Sequence, residues 1–259
     1  MKFYEKWLAF AAILVFFSGF GSAQAQESEE STEPAFVANF SNLPEAKRTE
    51  YLAHRSKAYE YSIQKRTFES LGEIHKATEI FDEDPSLWSL KASCYVEFRI
   101  FDKAKKAYER SLALRPKDMG TLFNLAEMDF ISRDWEGAIK KMTTVKEAVE
   151  DASESVDAGP LSIHRLCLFK IVISHFKLGQ KDEAKKIASE YWNEFDDSPF
   201  TYFSKAVLAY EEDNDEEARE WLASASRVFR DRAVITRWQD SLIEVGYFKS
   251  LYHQSEEEN

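Results

Sequence analysis

The sequence predicts an all-α fold of stacked helical hairpins, and three observations carry that prediction. Ala104, Ala138, Ala184 and Ala218 recur at intervals of 34, 46 and 34 residues, and 46 is one 34-residue period plus a 12-residue insertion. Each alanine holds the same place in a helix–turn–helix pattern, and a period near 34 is the mark of stacked hairpins. The hairpin halves are separated by short polar turns: Phe101-Asp102-Lys103, Arg133-Asp134-Trp135, Leu178-Gly179-Gln180-Lys181-Asp182 and Glu212-Asp213-Asn214-Asp215. Each turn has an Asp placed to cap the second helix and to suit its dipole.

Taken from the N-terminus, residues 1–25 read as a secretory signal. Lys2 and Lys6 precede an apolar run from Leu8 to Phe20, and Ala23-Gln24-Ala25 supplies the small residues of a cleavage site. The run is shorter than the about 20 residues of a membrane span. The expected mature chain therefore begins at Gln26, is exported, and is periplasmic or extracellular; an uncleaved membrane anchor is the alternative. No cysteine follows the apolar run, which disfavours a lipid anchor. Residues 26–44 carry Glu27, Glu29, Glu30, Glu33 and two prolines without helical period, and read as a flexible acidic lead-in. Asn39-Phe40-Ser41 fits the glycosylation pattern, a short signal of little weight.

Residues 45–232 form the repeat array, with units at 51–84, 85–118, 119–152, 165–198 and 199–232. The insertion falls between the third and fourth units, where Asp151 to Pro160 has loop composition, unless the preceding helix runs longer. Residues 233–252 place Val234, Ile235, Trp238, Leu242, Ile243, Val245 and Phe248 at helical spacing. This segment is the expected capping helix of the stack. Residues 253–259 are an acidic tail.

The strongest unit runs from Pro85 to Asp118. Trp88, Lys91-Ala92, Tyr95, Ala104, Tyr108 and Pro116 fall at the places of Trp-x2-Leu-Gly-x2-Tyr, Ala-x3-Phe and Pro. The unit resembles the tetratricopeptide repeat, with Lys91 as its odd member. The same template gives Leu122, Leu125-Ala126, Ala138 and Met142; then Leu168, Ile171-Val172, His175, Ala184 and Ala188; then Tyr202, Lys205-Ala206, Ala209, Ala218 and Leu222. A weaker copy has Ala58, Tyr61, Ser70, Ile74 and Ala77. The resemblance implies a right-handed α-α superhelix of four to five hairpins. Small residues let the helix backbones approach, and large ones fill the gaps between hairpins.

Composition narrows the partners. Removal of residues 1–25 leaves 32 basic and 45 acidic side chains. That balance argues against nucleic acid or anionic lipid as the main partner, and membrane contact is expected only through an uncleaved signal segment. Cys94 and Cys167 lie in different hairpins with a repeat between them, too far apart for a disulfide, and read as buried thiols.

Signatures of catalysis are missing from the sequence. It has no Gly-rich phosphate loop, paired-cysteine metal spacing, His-Glu-x-x-His or Gly-x-Ser-x-Gly. The acidic run Glu211 to Glu217 lacks the spacing of a calcium loop and reads as helix capping. His175 takes the place of the repeat's aromatic and reads as a packed or groove-lining residue. The expectation is a non-enzyme without cofactor or metal.

In the family the first helix of each hairpin lines the concave surface. Carried over by position, one row is Ser89, Phe123, Phe169 and Phe203, and a second is Val96, Phe130, Phe176 and Tyr210. The resemblance makes Phe123, Phe130, Phe169, Phe176, Phe203 and Tyr210 the expected protein-binding groove, holding a peptide or helix with aromatic anchors. Helices apolar on every side are normally covered on every side. The candidate covers are the C-terminal helix, the lead-in around Phe36 and Phe40, a second copy, or a bound segment. The alternative function is a self-filled structural subunit or spacer of an envelope assembly.

Overall fold

A computed structural model describes residues 35–152, 158–192 and 198–247. The expected signal segment, residues 26–34 of the acidic lead-in, residues 248–252 and the acidic tail lie outside the described residues. Within them the chain forms twelve α-helices: α1 (Ala35–Ser41), α2 (Glu45–Ile63), α3 (Thr67–Ile80), α4 (Pro85–Glu97), α5 (Phe101–Leu114), α6 (Met119–Ile131), α7 (Trp135–Ala152), α8 (Ala158–Lys177), α9 (Lys181–Glu190), α10 (Phe200–Glu211), α11 (Asp215–Val228) and α12 (Arg232–Glu244). They belong to two compact units that divide between Met128 and Asp129, within α6.

The small residues of the repeat are where two backbones meet. Ala58, Ala92, Ala126, Val172 and Ala206 on first helices, and Ser70, Ala104, Ala138, Ala184 and Ala218 on second helices, are all fully buried. In the first hairpin the Ser70 hydroxyl donates to the Ala58 carbonyl at 2.8 Å, which shows how close that approach is. In the N-terminal unit α2 packs on α3 and α4 on α5, and α4 lies against both α2 and α3. In the C-terminal unit α8 packs on α7, α9 and α10, and α10 on α11.

Five hairpin turns are built the same way. Lys65, Arg99, Arg133, Gly179 and Asp213 all have positive φ, between 57° and 75°. In each, the following N–H reaches back five residues while the turn residue's own N–H reaches back three. Arg99 N–H bonds the Val96 carbonyl at 2.8 Å and Ile100 N–H the Tyr95 carbonyl at 2.9 Å. This is the Schellman closure, which satisfies carbonyls the helix end leaves open. Only one of the five uses glycine, so four turns hold an L-residue in a left-handed conformation it resists.

Helix capping differs from the sequence expectation. Asp102 and Asp182 lie inside the first turns of α5 and α9, whose N-cap residues, Ile100 and Gln180, make no side-chain cap bond. α11 is capped by Asn214, which accepts from Glu217 N–H, and Asp215 sits in its first turn. Of the expected caps only Asp134 serves, accepting from Gly137 N–H at 3.1 Å. The Schellman closure extends each turn to one residue before the second helix, so that residue, rather than the Asp, takes the cap position. The first helices have the aspartate caps: Asp84 on α4 and Asp118, which accepts from Thr121 N–H, on α6.

Two further expectations are corrected. The stretch expected to loop is helical at both ends, with residues 153–157 outside the described residues: α7 continues to Ala152 and α8 starts at Ala158, so Ala158, Gly159 and Pro160 belong to a first turn. A proline there forfeits no intrahelical bond. The lead-in is not structureless throughout, because residues 35–41 form α1. The capping helix ends at Glu244, where Gly246 at φ 81° closes it with another Schellman pair, Gly246 to Ile243 and Tyr247 to Leu242.

Candidate functional site

The predicted aromatic rows are not an open surface. Phe123, Phe130 and Phe169 are fully buried, Phe203 is 1% exposed and Phe176 4% exposed. In the C-terminal unit the cover is the C-terminal helix itself. The Trp238 ring of α12 lies 5.0 Å from Phe169, 5.8 Å from Phe203 and 6.5 Å from Phe200, and Phe169 meets Phe203 edge-on at 6.0 Å. Tyr210 is half-buried beneath Tyr247, stacked at 5.7 Å and 15°. Tyr247 in turn donates its hydroxyl to Glu211 and lies under the Lys177 ammonium, 3.6 Å from its ring centre. The expected groove of this unit is a core that the chain fills from its own C-terminal segment. Phe130 is also internal: Trp135 meets it edge-on at 5.5 Å, and the buried Lys170 ammonium stands 4.3 Å above its ring.

An open cleft lies in the N-terminal unit. A cleft of about 240 Å³ runs between α1, the first half of α2, the start of α4 and the residue after α5. Its apolar wall is Phe36, Val37, Phe40, Leu52 and Phe81; Arg55, Asp84 and Arg115 supply the charge. Leu52 is 46% exposed, a large side chain held out to solvent at the rim.

Asp84 organises the floor. As the N-cap of α4, ahead of Pro85, it accepts from Ser86 and Leu87 N–H at 2.8 and 3.3 Å. It also accepts from the Tyr51 hydroxyl and from the Arg55 Nε, each at 2.7 Å. Burial pushes the Asp84 carboxyl up, but the bonds from Tyr51 and Arg55 outweigh it and hold the group below the usual carboxylate range. Tyr51 moves the other way, well above a normal phenol, through burial and the adjoining Asp84 charge. The floor is thus a fixed ionic network that joins first helices of two successive hairpins.

Arg115 is held more loosely. Its nearest carboxylate is Asp118 at 3.5 Å, and its guanidinium lies 5.5 Å from the Phe36 ring centre. A guanidinium offers five donors in a fork suited to carboxylates. The cleft combines an apolar wall with a cation at its mouth.

Sequence reasoning missed this site. Asp84 before Pro85 was legible as a helix start, but nothing in the spacing tied it to Tyr51 and Arg55, 33 and 29 residues earlier. The odd lysine at the repeat's Leu position does find a physical explanation. Lys91 lies 4.4 Å above the Trp88 ring, and burial lowers its pKa. Lys205, at the same template place, lies 4.3 Å from Trp221 and 5.3 Å from Trp192. Both stems fill the apolar place while the ammonium rests on an indole.

The other polar candidates serve structure. His175 is half-buried rather than packed in the core, and its Nδ1 pairs with Gln180 in the hairpin turn at 2.5 Å. His164 is buried against Glu150 at 2.6 Å, and desolvation lowers its pKa. Cys94 and Cys167 are buried thiols, as expected. Among the described residues no cluster of three or more His, Cys, Asp or Glu is arranged to hold a metal ion. None of their helices is long and apolar enough to cross a membrane.

Tetratricopeptide-repeat models match residues 85–118 and 166–198, on the second and fourth of the units read from the alanine period. The chain carries tetratricopeptide repeats at these two places. Solved structures of this repeat class share the fold at low identity. YrrB, described as a TPR protein with an unusual peptide-binding site, superposes with a TM-score of 0.53 at 15% identity, covering 80% of this chain and 98% of its own. PilF of Pseudomonas aeruginosa gives 0.50 at 14%, covering 83% and 100%. MamA of AMB-1 gives 0.50 at 17%, covering 70% and 99%. No curated protein matches the sequence.

Proposed function

We propose that this tetratricopeptide-repeat protein is an exported protein-interaction scaffold, and that it holds a peptide segment in the cleft of its N-terminal unit. The carrying observation is the cleft's composition: Leu52 and Phe81 form an apolar surface beside the Arg115 guanidinium, with Phe36 and Phe40 of α1 seated along it. Its volume suits one or two side chains, so it takes an anchor residue of a longer segment rather than a whole small molecule. The YrrB description supports the reading, since the same fold there binds peptide. The aromatic rows of the C-terminal unit are filled by Trp238 and Tyr247.

The test is a fluorescence screen of the full mature chain against short peptides that carry one aromatic and one acidic residue. Binding that is lost in both Leu52→Glu and Arg115→Glu is the expected outcome. Truncation of a cleft anchor contact costs about 2 kcal/mol or more of binding. Binding that is indifferent to both substitutions, or absent from the wild type, overturns the reading. Export rests on Lys2, Lys6, the apolar run and Ala23-Gln24-Ala25. N-terminal sequencing of protein from an exporting host should return Gln26; an intact Met1 in the membrane fraction refutes it.

A further inference from the structure

We infer that α1 is a resident stand-in for the partner, so that the binding site continues beneath it and takes a helical segment with two aromatic residues one turn apart. This rests on the proposed peptide-binding role of the cleft and names its ligand.

α1 is seven residues long, and none of its residues is buried. A helix of that length is not stable alone in water, so its helical form depends on docking. It therefore behaves as a peptide ligand does, ordering on the surface that receives it. Pro44 separates it from α2 as that helix's N-cap residue, so the two helices are not continuous.

The docking contacts are those of a ligand in a site. Phe36, Val37 and Phe40 share one face through i, i+3 and i+4 spacing. The Phe40 ring lies 5.1 Å from Tyr51 and 5.3 Å from Phe81, which themselves meet edge-on at 5.7 Å. Phe36 is covered by Arg115. Polar contacts fix the ends: Asn39 donates to Glu83 at 2.6 Å, and the Arg48 guanidinium donates to the Ser41 carbonyl at 2.7 Å. Under the helix lies a preformed aromatic and ionic floor, with Tyr51 held by Asp84 and Asp84 by Arg55. Loss of α1 bares Tyr51 and Phe81 but leaves that floor bonded. A second segment with aromatics at i and i+4, a donor toward Glu83 and a C-terminal carbonyl toward Arg48 satisfies the same groups.

The competition is measurable with a defined probe, a labelled synthetic peptide of residues 35–44. In the wild-type chain the cis copy occupies the site, so the apparent affinity falls by the fraction left open. Phe36→Ala/Phe40→Ala in the full chain weakens the cis copy and should raise peptide affinity about tenfold or more. Asn39→Ala leaves both rings in place, removes a contact of the cis copy alone and should raise it by a smaller factor. A peptide with both phenylalanines replaced by alanine should bind neither chain. Helical circular dichroism and a cooperative melt establish that each variant is folded. Equal peptide affinity in wild type and both variants, or no binding to any folded chain, overturns the inference. If the screen peptides still bind through Leu52 and Arg115 in that case, the cleft reading stands and only the role of α1 falls.

Discussion

Phe169→Ala separates a filled core from an open groove without knowledge of any partner. Phe169 is fully buried and touches Phe203 at 6.0 Å and Trp238 at 5.0 Å between ring centres. Truncation of a buried Phe to Ala costs about 3–5 kcal/mol. Two aromatic contacts, worth roughly 0.5–1.5 kcal/mol each beyond burial, place this site toward the upper end of that range. For a protein of this size each kcal/mol lowers Tm by about 2–4 °C, so a fall on the order of 10 °C is expected. Trp238→Ala should behave similarly, and the double variant should lose less than the sum of the two, because both remove one shared contact. The assay is thermal and denaturant unfolding followed by circular dichroism. A Phe169→Ala midpoint within about 1 kcal/mol of the wild type would falsify the buried-row account and restore the open groove.

Three further outcomes are expected. Ala104→Leu and Ala218→Leu should each cost about 1–3 kcal/mol, because both alanines are fully buried where helix backbones meet; an unchanged melt in either contradicts the repeat register. Arg99→Gly should stabilise by roughly 0.5–1 kcal/mol, as relief of a φ of 57° exceeds glycine's added chain entropy; a lower unfolding midpoint refutes that balance. Asp240 is half-buried; desolvation and the nearby Glu244 raise its pKa to about 6, while Lys170 lowers it. Its folded-state value lies above the unfolded one of about 3.9, so its contribution is full below pH about 4 and lost as pH rises through about 6. Asp240→Asn should therefore match the wild type in Tm near pH 4 and exceed it near pH 7; a gap that does not widen with pH removes Asp240 as the cause.

The repeat was legible because a backbone contact tolerates only small residues, and that constraint recurs with the period. Ala104, Ala138, Ala184 and Ala218 report it directly, and their register placed four of the five hairpin turns. The fate of the aromatic rows was not legible. Phe169 and Phe203 have the same local pattern whether solvent, a partner or Trp238 lies above them. Trp238 was read as part of a cap, but spacing along one helix does not show which surface that helix lands on. The cleft was hidden for a related reason: Tyr51, Arg55 and Asp84 converge across separate elements, and no periodicity links them. The turn aspartates misled because they match the cap preference. The Schellman closures of Arg99 and Gly179 set where α5 and α9 begin, and so displaced Asp102 and Asp182 from the caps.

The way α12 covers the aromatic residues makes one short connection decisive for quality control. The segment Phe229-Arg230-Asp231 joins α11 to α12, with Arg230 and Asp231 exposed and Val228 just before it 55% in solvent. After a single proteolytic cut there only packing holds Trp238 and Tyr247 in place, and their departure would uncover Phe169, Phe200, Phe203 and Tyr210 at once. The clipped chain would keep its hairpins but present an aromatic face of the kind that aggregates and that proteases of misfolded proteins seize. Damage at that point is thus converted from a small nick into a signal for removal of the whole molecule.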